Sequence, residues 1–132
     1  MARTWVKVAI GAVALVILAG LIYHAKSDRH RRAREAAYES LLQSYSASLK
    51  PGASRIDVEA CLRSHGVSFE TGRGNGRIES LDDLVPIGRD EDTWVCRDNN
   101  VYLQFRFDSA EFTSDMDKLT KIEILHRPGT CL

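Results

Sequence analysis

The sequence predicts an α+β fold behind a membrane anchor. An N-terminal transmembrane helix continues into an amphipathic helix, and one further helix packs on a small antiparallel sheet of about three strands, in α-α-β-β-β order. Three observations carry this. Residues 8–23 are apolar without a charge, residues 26–49 repeat apolar groups at helical spacing, and residues 101–107 and 119–126 alternate apolar and polar groups as strands do. At 132 residues, the chain has room for one small domain and an appendage.

Charge is divided along the chain. It balances overall, at 18 Lys+Arg against 18 Asp+Glu, which argues against a nucleic-acid binder with a basic face. Residues 1–23 carry only Arg3 and Lys7, residues 26–34 hold a basic surplus, and the segment from Lys50 onward has 11 basic and 15 acidic groups, a net of −4.

The run Val8–Tyr23 (VAIGAVALVILAGLIY), extended back to Trp5, matches the roughly 20 apolar residues that cross a bilayer as a helix. Trp5 and Tyr23 bracket it as interfacial aromatics, and the stem of Lys7 can reach the headgroups. A cleaved signal peptide would need small residues three and one before the cut. Leu18-Ala19-Gly20 and Tyr23-His24-Ala25 each put a bulky residue at the outer position, and no cysteine follows for lipidation. A core helix apolar all round would find little core here to hide in. Residues 1–25 are therefore expected to be an uncleaved single-pass anchor.

Residues 26–49 (KSDRHRRAREAAYESLLQSYSASL) place Ala36, Ala37, Leu41, Leu42, Tyr45 and Leu49 at three- and four-residue steps, a connecting helix with one apolar stripe that Lys50-Pro51-Gly52 ends. Arg29, Arg31, Arg32 and Arg34 lie beside the membrane run, where each charge is attracted to anionic lipid by about 1 kcal/mol. These arginines are expected to contact headgroups, and the alternative is a solvated helix face.

Residues 50–132 form the expected α+β domain. Ser54-Arg55-Ile56-Asp57 has capping-box form, opening a helix from Arg55 to His65 that Gly66 stops, with Ile56, Val58, Cys61, Leu62 and His65 on its apolar side. Val67-Ser68-Phe69-Glu70 reads as a short strand. Gly72-Arg73-Gly74-Asn75-Gly76-Arg77 reads as a turn, because a phosphate cradle would need a buried strand before it and a helix after it. Leu84-Val85-Pro86-Ile87 reads as an edge segment, since proline has no ladder N–H to donate.

Val101, Leu103, Phe105 and Phe107 alternate with Tyr102, Gln104 and Arg106. After a polar connection at 109–117, LTKIEILH (119–126) supplies a partner strand with Ile122 and Ile124 on one face. The apolar faces coincide if paired residue numbers sum to an odd value. A sum of 227 pairs Phe105 with Ile122 and Leu103 with Ile124, and carried outward it sets Cys96 opposite Cys131; a sum of 225 satisfies the faces too. A Cys96–Cys131 disulfide would need an oxidising compartment, which favours an extracytoplasmic domain, whereas the basic flank favours a cytoplasmic one. The reading adopted is a cell-membrane protein with its domain outside.

Catalytic and metal readings are weak. Cys61 and His65, four apart on one helix face, could form a thiolate–imidazole pair or half a metal site, but further ligands at suitable spacing are missing and a packed thiol is the simpler reading. Asp82-Asp83 and Asp90-Glu91-Asp92 lack the spacing of a calcium loop and read as solvated turns. His24, His30 and His126 show no partner in sequence. No cofactor, small-molecule substrate or nucleic-acid partner is implied.

The stretch Leu49-Lys50-Pro51-Gly52-Ala53-Ser54-Arg55-Ile56-Asp57-Val58-Glu59, then Leu62, resembles the opening of small SmpA/BamE-like domains. The likeness covers residues 49–126 in element order, with a motif of about a dozen residues. It implies a helix pair on a three-stranded antiparallel sheet and an envelope protein that binds other proteins without catalysis. The chain departs in its anchor, because outer-membrane members carry a lipidated cysteine. The ending Cys131-Leu132 is similar to that of some uncharacterised bacterial membrane-anchored proteins, which implies no activity.

The functional expectation is a non-catalytic protein-binding or envelope-maintenance module. Its partners would be the bilayer and another membrane or envelope protein, the latter met on the sheet face of Tyr102, Gln104 and Arg106 or by strand addition at a sheet edge. The rivals are a cytoplasmic membrane-surface sensor using the basic run and a thiol enzyme using Cys61 and His65.

Overall fold

The computed structural model describes residues 2–73, 81–108 and 113–132. The expected interfacial roles of Trp5 and Lys7, the turn through Gly74, Asn75, Gly76 and Arg77, and the first part of the 109–117 connection lie outside the described side chains and residues. Elements follow in the order α1 (Ala2–Ser48), α2 (Arg55–Ser64), β1 (Glu70–Arg73), β2 (Leu81–Arg89), β3 (Cys96–Arg97), β4 (Asn100–Phe107), β5 (Leu119–Arg127) and β6 (Thr130–Cys131). The chain divides into two compact units, residues 1–37 and 38–132.

In the first unit, α1 exposes Ile10, Val16, Leu18, Leu21 and Ile22 all round. Among the described residues, α1 alone is long and apolar enough to cross a membrane. A helix suits that surroundings because it satisfies its own backbone amides.

In the second unit, the end of α1 buries a stripe of Tyr38, Leu42, Tyr45 and Leu49, at steps of four, three and four. Ala36, Ala37 and Leu41, expected on that stripe, are exposed. Ser54 caps α2: its hydroxyl accepts from Asp57 N at 3.4 Å and donates to the Asp57 carboxylate at 2.6 Å. Gly66 follows at φ +67, the left-handed backbone that favours glycine at a helix exit. Val58 and Leu62 are fully buried, whereas Ile56, expected on the apolar side, is about half exposed. The core joins these residues to Val85, Leu103, Phe105, Phe107 and Leu119.

The sheet is antiparallel with four strands in the order β1-β2-β4-β5, and β3 and β6 form a separate two-stranded ribbon. The expectation of about three strands is thus one short. Leu84–Ile87 belongs to the nine-residue β2, which pairs with β1 from Leu81 to Leu84 and with β4 from Asp83 to Arg89, so beyond Leu84 the strand has one unpaired side, as the edge reading expects. Proline is tolerated there because the register shifts between Pro86 and Gly88, a bulge that breaks the ladder locally. The first strand also starts later than expected, at Glu70.

The β4–β5 register has the sum of 227, pairing Phe105 with Ile122 and Leu103 with Ile124. Beyond Asn100 and Arg127 the ribbon keeps that sum, pairing Arg97 with Thr130 and Cys96 with Cys131. The two sulfur atoms lie at disulfide distance, 2.08 Å, with Cα atoms 4.1 Å apart. Gly129 makes this ribbon possible, since a Cβ there would stand 2.6 Å from the carbonyl oxygens of Arg97 and Asp98.

Candidate functional site

Alternation sends odd-numbered β4 residues to the helix side and Tyr102, Gln104 and Arg106 to the opposite face. That opposite face is not the open polar surface the sequence suggested. Gln104 is only 1% exposed, and its amide donates to Asp82 Oδ2 at 2.6 Å. Leu84, its neighbour across the β2–β4 ladder, and Leu125 are buried on the same face. Arg106 is half-buried and bonds Glu123 at 3.0 Å. That contact and a stronger one from Lys121 hold the Glu123 carboxyl below its usual range. Tyr102 is half-buried, with the Arg127 guanidinium 5.7 Å above its ring.

Of the three expected binding residues, Tyr102 alone lines a cleft. It is an open recess of about 250 Å³ walled by Ser68, Phe69, Glu70, Pro86 and Tyr102, part polar and part apolar. Each wall has a structural cause. Pro86 faces Tyr102 across the β2–β4 ladder. Glu70 opens β1 and pairs with Leu84, on the same face. Phe69 precedes β1, half-buried against the core, with the Arg63 guanidinium 5.4 Å from its ring. The cleft is therefore two aromatic rings and a proline ring beside one carboxylate. Ligand pockets for drug-sized molecules run to roughly 300–1,000 Å³, so this space suits a single large side chain.

A buried charge network that no local sequence signal announces lies at the start of α2. Arg55, the first residue of α2, bonds Asp83 at 2.8 Å, Asp117 at 3.2 Å and the Leu81 carbonyl at 2.7 Å, and stacks 4.0 Å over the Phe107 ring. Asp82 accepts from Gln104 and from the Phe107 amide, at 3.3 Å for the latter. Asp82 and Asp83 are thus buried strand residues, a correction to their reading as a solvated turn. Burial pushes the Asp83 carboxyl up to about 6, against the opposing pull of Arg55. The signal in sequence was available only in part: an arginine just after an N-cap is ordinary, and its partners lie 28 and 62 residues away.

The thiol–imidazole pair is loose. His65 Nδ1 lies 2.8 Å from the Cys61 carbonyl and 3.8 Å from the sulfur. A carbonyl only accepts, so Nδ1 carries its proton and is not free to take one from the thiol. Tyr45 stands edge-on to both His65 and Phe105, and burial, with Cys61 adding to it, raises its phenol above the usual range. Among the described residues, no group of three His, Cys, Asp or Glu is placed to hold a metal ion. His126 has a partner after all, Asp90 at 2.6 Å.

The basic run lies on α1. At 3.6 residues per turn, Arg29, Arg31, Arg32 and Arg34 point around the whole helix circumference rather than along one face. Such a girdle suits a helix that passes through a headgroup layer, whereas a helix lying in the interface keeps its charges on one side. Arg31 also contacts Asp28 at 3.4 Å and Glu35 at 4.0 Å.

No protein-family model, curated protein or solved structure matches this chain.

Proposed function

We propose that this is a membrane-anchored protein-binding module, and that its binding site is the cleft of Phe69, Pro86 and Tyr102 with Glu70 at the rim. The observation that carries this reading is the cleft itself: an aromatic- and proline-lined recess of side-chain size, beside the open edge strand β1. Rigid aromatic walls on a sheet lose little freedom when a partner side chain enters, which is how interface anchors gain most of their energy. The edge strand adds backbone groups that an extended partner segment can pair with.

An SmpA/BamE-like role in the envelope, binding proteins without catalysis, fits this arrangement. In this reading the domain lies on the extracytoplasmic side, where the Cys96–Cys131 pair would persist as a disulfide. The Arg29–Arg34 girdle then sits among lipid headgroups at the outer end of the anchor, an exception to the positive-inside tendency.

The test is a photo-crosslinking residue in place of the exposed Ser68, in the full chain in native membranes. One dominant protein adduct, lost when Tyr102→Ala is added, is the expected result. Adducts only with lipid, or adducts indifferent to Tyr102→Ala, would remove this reading. A reporter fused after Leu132 decides the side.

A further inference from the structure

The Cys96–Cys131 pair stands outside the packed part of the domain. It joins β3 to β6, a ribbon of two residue pairs that is separate from the four-stranded sheet. The core gathers around Val58, Leu62, Leu103 and Phe105, and among the described residues it takes no member from 90–98 or 128–132. Residues 128–132 are exposed throughout, and Trp94, on the loop between β2 and β3, is 91% exposed.

The ties that hold this tail and loop are short-range. Thr130 pairs with Arg97, and Leu132 N donates to the Val95 carbonyl at 2.9 Å. The loop folds on itself: Thr93 N donates to the Cys96 carbonyl at 2.8 Å, and Cys96 N donates to Thr93 Oγ1 at 2.8 Å. The Asn99 amide donates to the Glu91 carbonyl at 3.0 Å. An isolated two-stranded ribbon is marginal at best in water, so the sulfur bridge is what fixes this one. The bridge is also within reach. Cys131 is exposed and Cys96 half-buried. Thiol–disulfide exchange needs a thiolate to approach one sulfur, and exposed bridges are the ones that exchange.

We propose that Cys96–Cys131 is a reversible clasp. A dithiol reductant opens it, frees the loop 90–99 and the tail 128–132, and leaves the helix-backed sheet folded. The exchange balances. One thiolate of the reductant attacks the Cys131 sulfur, the Cys96–Cys131 bond breaks, and Cys96 leaves as a thiolate and takes up a proton. The second thiolate of the reductant then attacks the mixed disulfide, Cys131 leaves and is protonated, and the reductant departs as its own disulfide. Two electrons and two protons have passed to the chain. An oxidising compartment keeps the clasp shut until such a dithiol reaches it.

Reclosure is built into the register. Asn100 and Arg127 are paired at the end of the β4–β5 ladder, so after opening each cysteine stays tethered a few residues from a fixed pair. Tethering keeps the two thiols at high effective concentration. A disulfide oxidant that removes two electrons and two protons then remakes the same bond.

The experiment is hydrogen exchange read by mass spectrometry on the full chain in detergent micelles. The chain is measured oxidised, then reduced with dithiothreitol, then reoxidised with oxidised glutathione. At short labelling times, exchange in 90–99 and 128–132 is expected to rise about tenfold on reduction, while 101–107 and 119–125 stay protected, and reoxidation reverses the rise. The double variant Cys96→Ser, Cys131→Ser should match the reduced wild type and respond to neither reagent. Loss of protection in 101–107 and 119–125 as well means that the bridge holds the whole fold. Unchanged exchange in 90–99 and 128–132 means that it holds nothing locally. Either result overturns the proposal, and so does a bridge that dithiothreitol leaves intact in the folded chain.

Discussion

The domain holds two arginine–carboxylate clusters of nearly the same chemistry in opposite surroundings. Arg55 meets Asp83 at 2.8 Å and Asp117 at 3.2 Å with its side chain almost wholly buried. Arg89 meets Asp98 at 2.7 Å and Asp92 at 3.8 Å with its side chain more than half exposed. Distances alone would rank them equal. Burial separates them, because a charge taken out of water must be compensated by its partners, whereas an exposed pair exchanges its contacts with solvent at little cost. The first cluster ties α2, β2 and the approach to β5 together, and the second decorates the tip that carries Trp94. One end of the sheet is held by buried charge and the other by a covalent link.

Breaking the buried cluster should have the largest effect. Arg55→Ala leaves Asp83 buried without its cation and is expected to cost about 3–5 kcal/mol, read as the loss of a cooperative urea transition or a large fall in its midpoint. Breaking the link at the other end comes next. Cys96→Ser, or reduction of the wild type, should cost roughly 2–4 kcal/mol, and a mass shift on alkylation after reduction checks that the bond was present. If it costs as much as Arg55→Ala, the contrast between the two ends is wrong.

A pH series sharpens the comparison further. Asp83 titrates near 6 in the folded domain and 3.8 otherwise, because of burial. A carboxyl with a raised folded value contributes stability that is complete below 3.8 and lost as pH rises through 6. Wild type should therefore gain on Asp83→Asn as pH falls from 7 to 5, by a melting shift on the order of several degrees. Asp98→Asn, at the exposed cluster, should show no such trend. The smallest effect is Arg89→Ala, expected to change stability by less than about 1 kcal/mol and to lose even that at high salt.

How much of this was legible in the residues depends on whether a signal is local. The Ser54 cap, the Gly66 exit and the alternation of β4 are local, and they stand in the structure as read. The parity of the β4–β5 register was legible because apolar pattern fixes the phase of a ladder, but it left sums of 225 and 227 both open, and the structure takes 227. The buried polar residues were not. Alternation places Gln104 opposite the core and leaves open whether that face meets water; Leu84 and Asp82 remove it from water, and β2 itself was obscured by Asp82-Asp83 and Pro86. The cleft was half-legible: Tyr102 belongs to the pattern, but Phe69 and Pro86 join it only through the pairing of β1 with β2 and β2 with β4.

Three thiols allow three possible bonds, and only one strand phase brings Cys96 and Cys131 together. A slip of one residue along β5 would separate them and move Ile122 and Ile124 off the core face. Oxidation of this pair therefore works as a checksum: among strand alignments, the one in the structure brings the two sulfur atoms to bonding distance, and once closed the link holds the hairpin to that alignment.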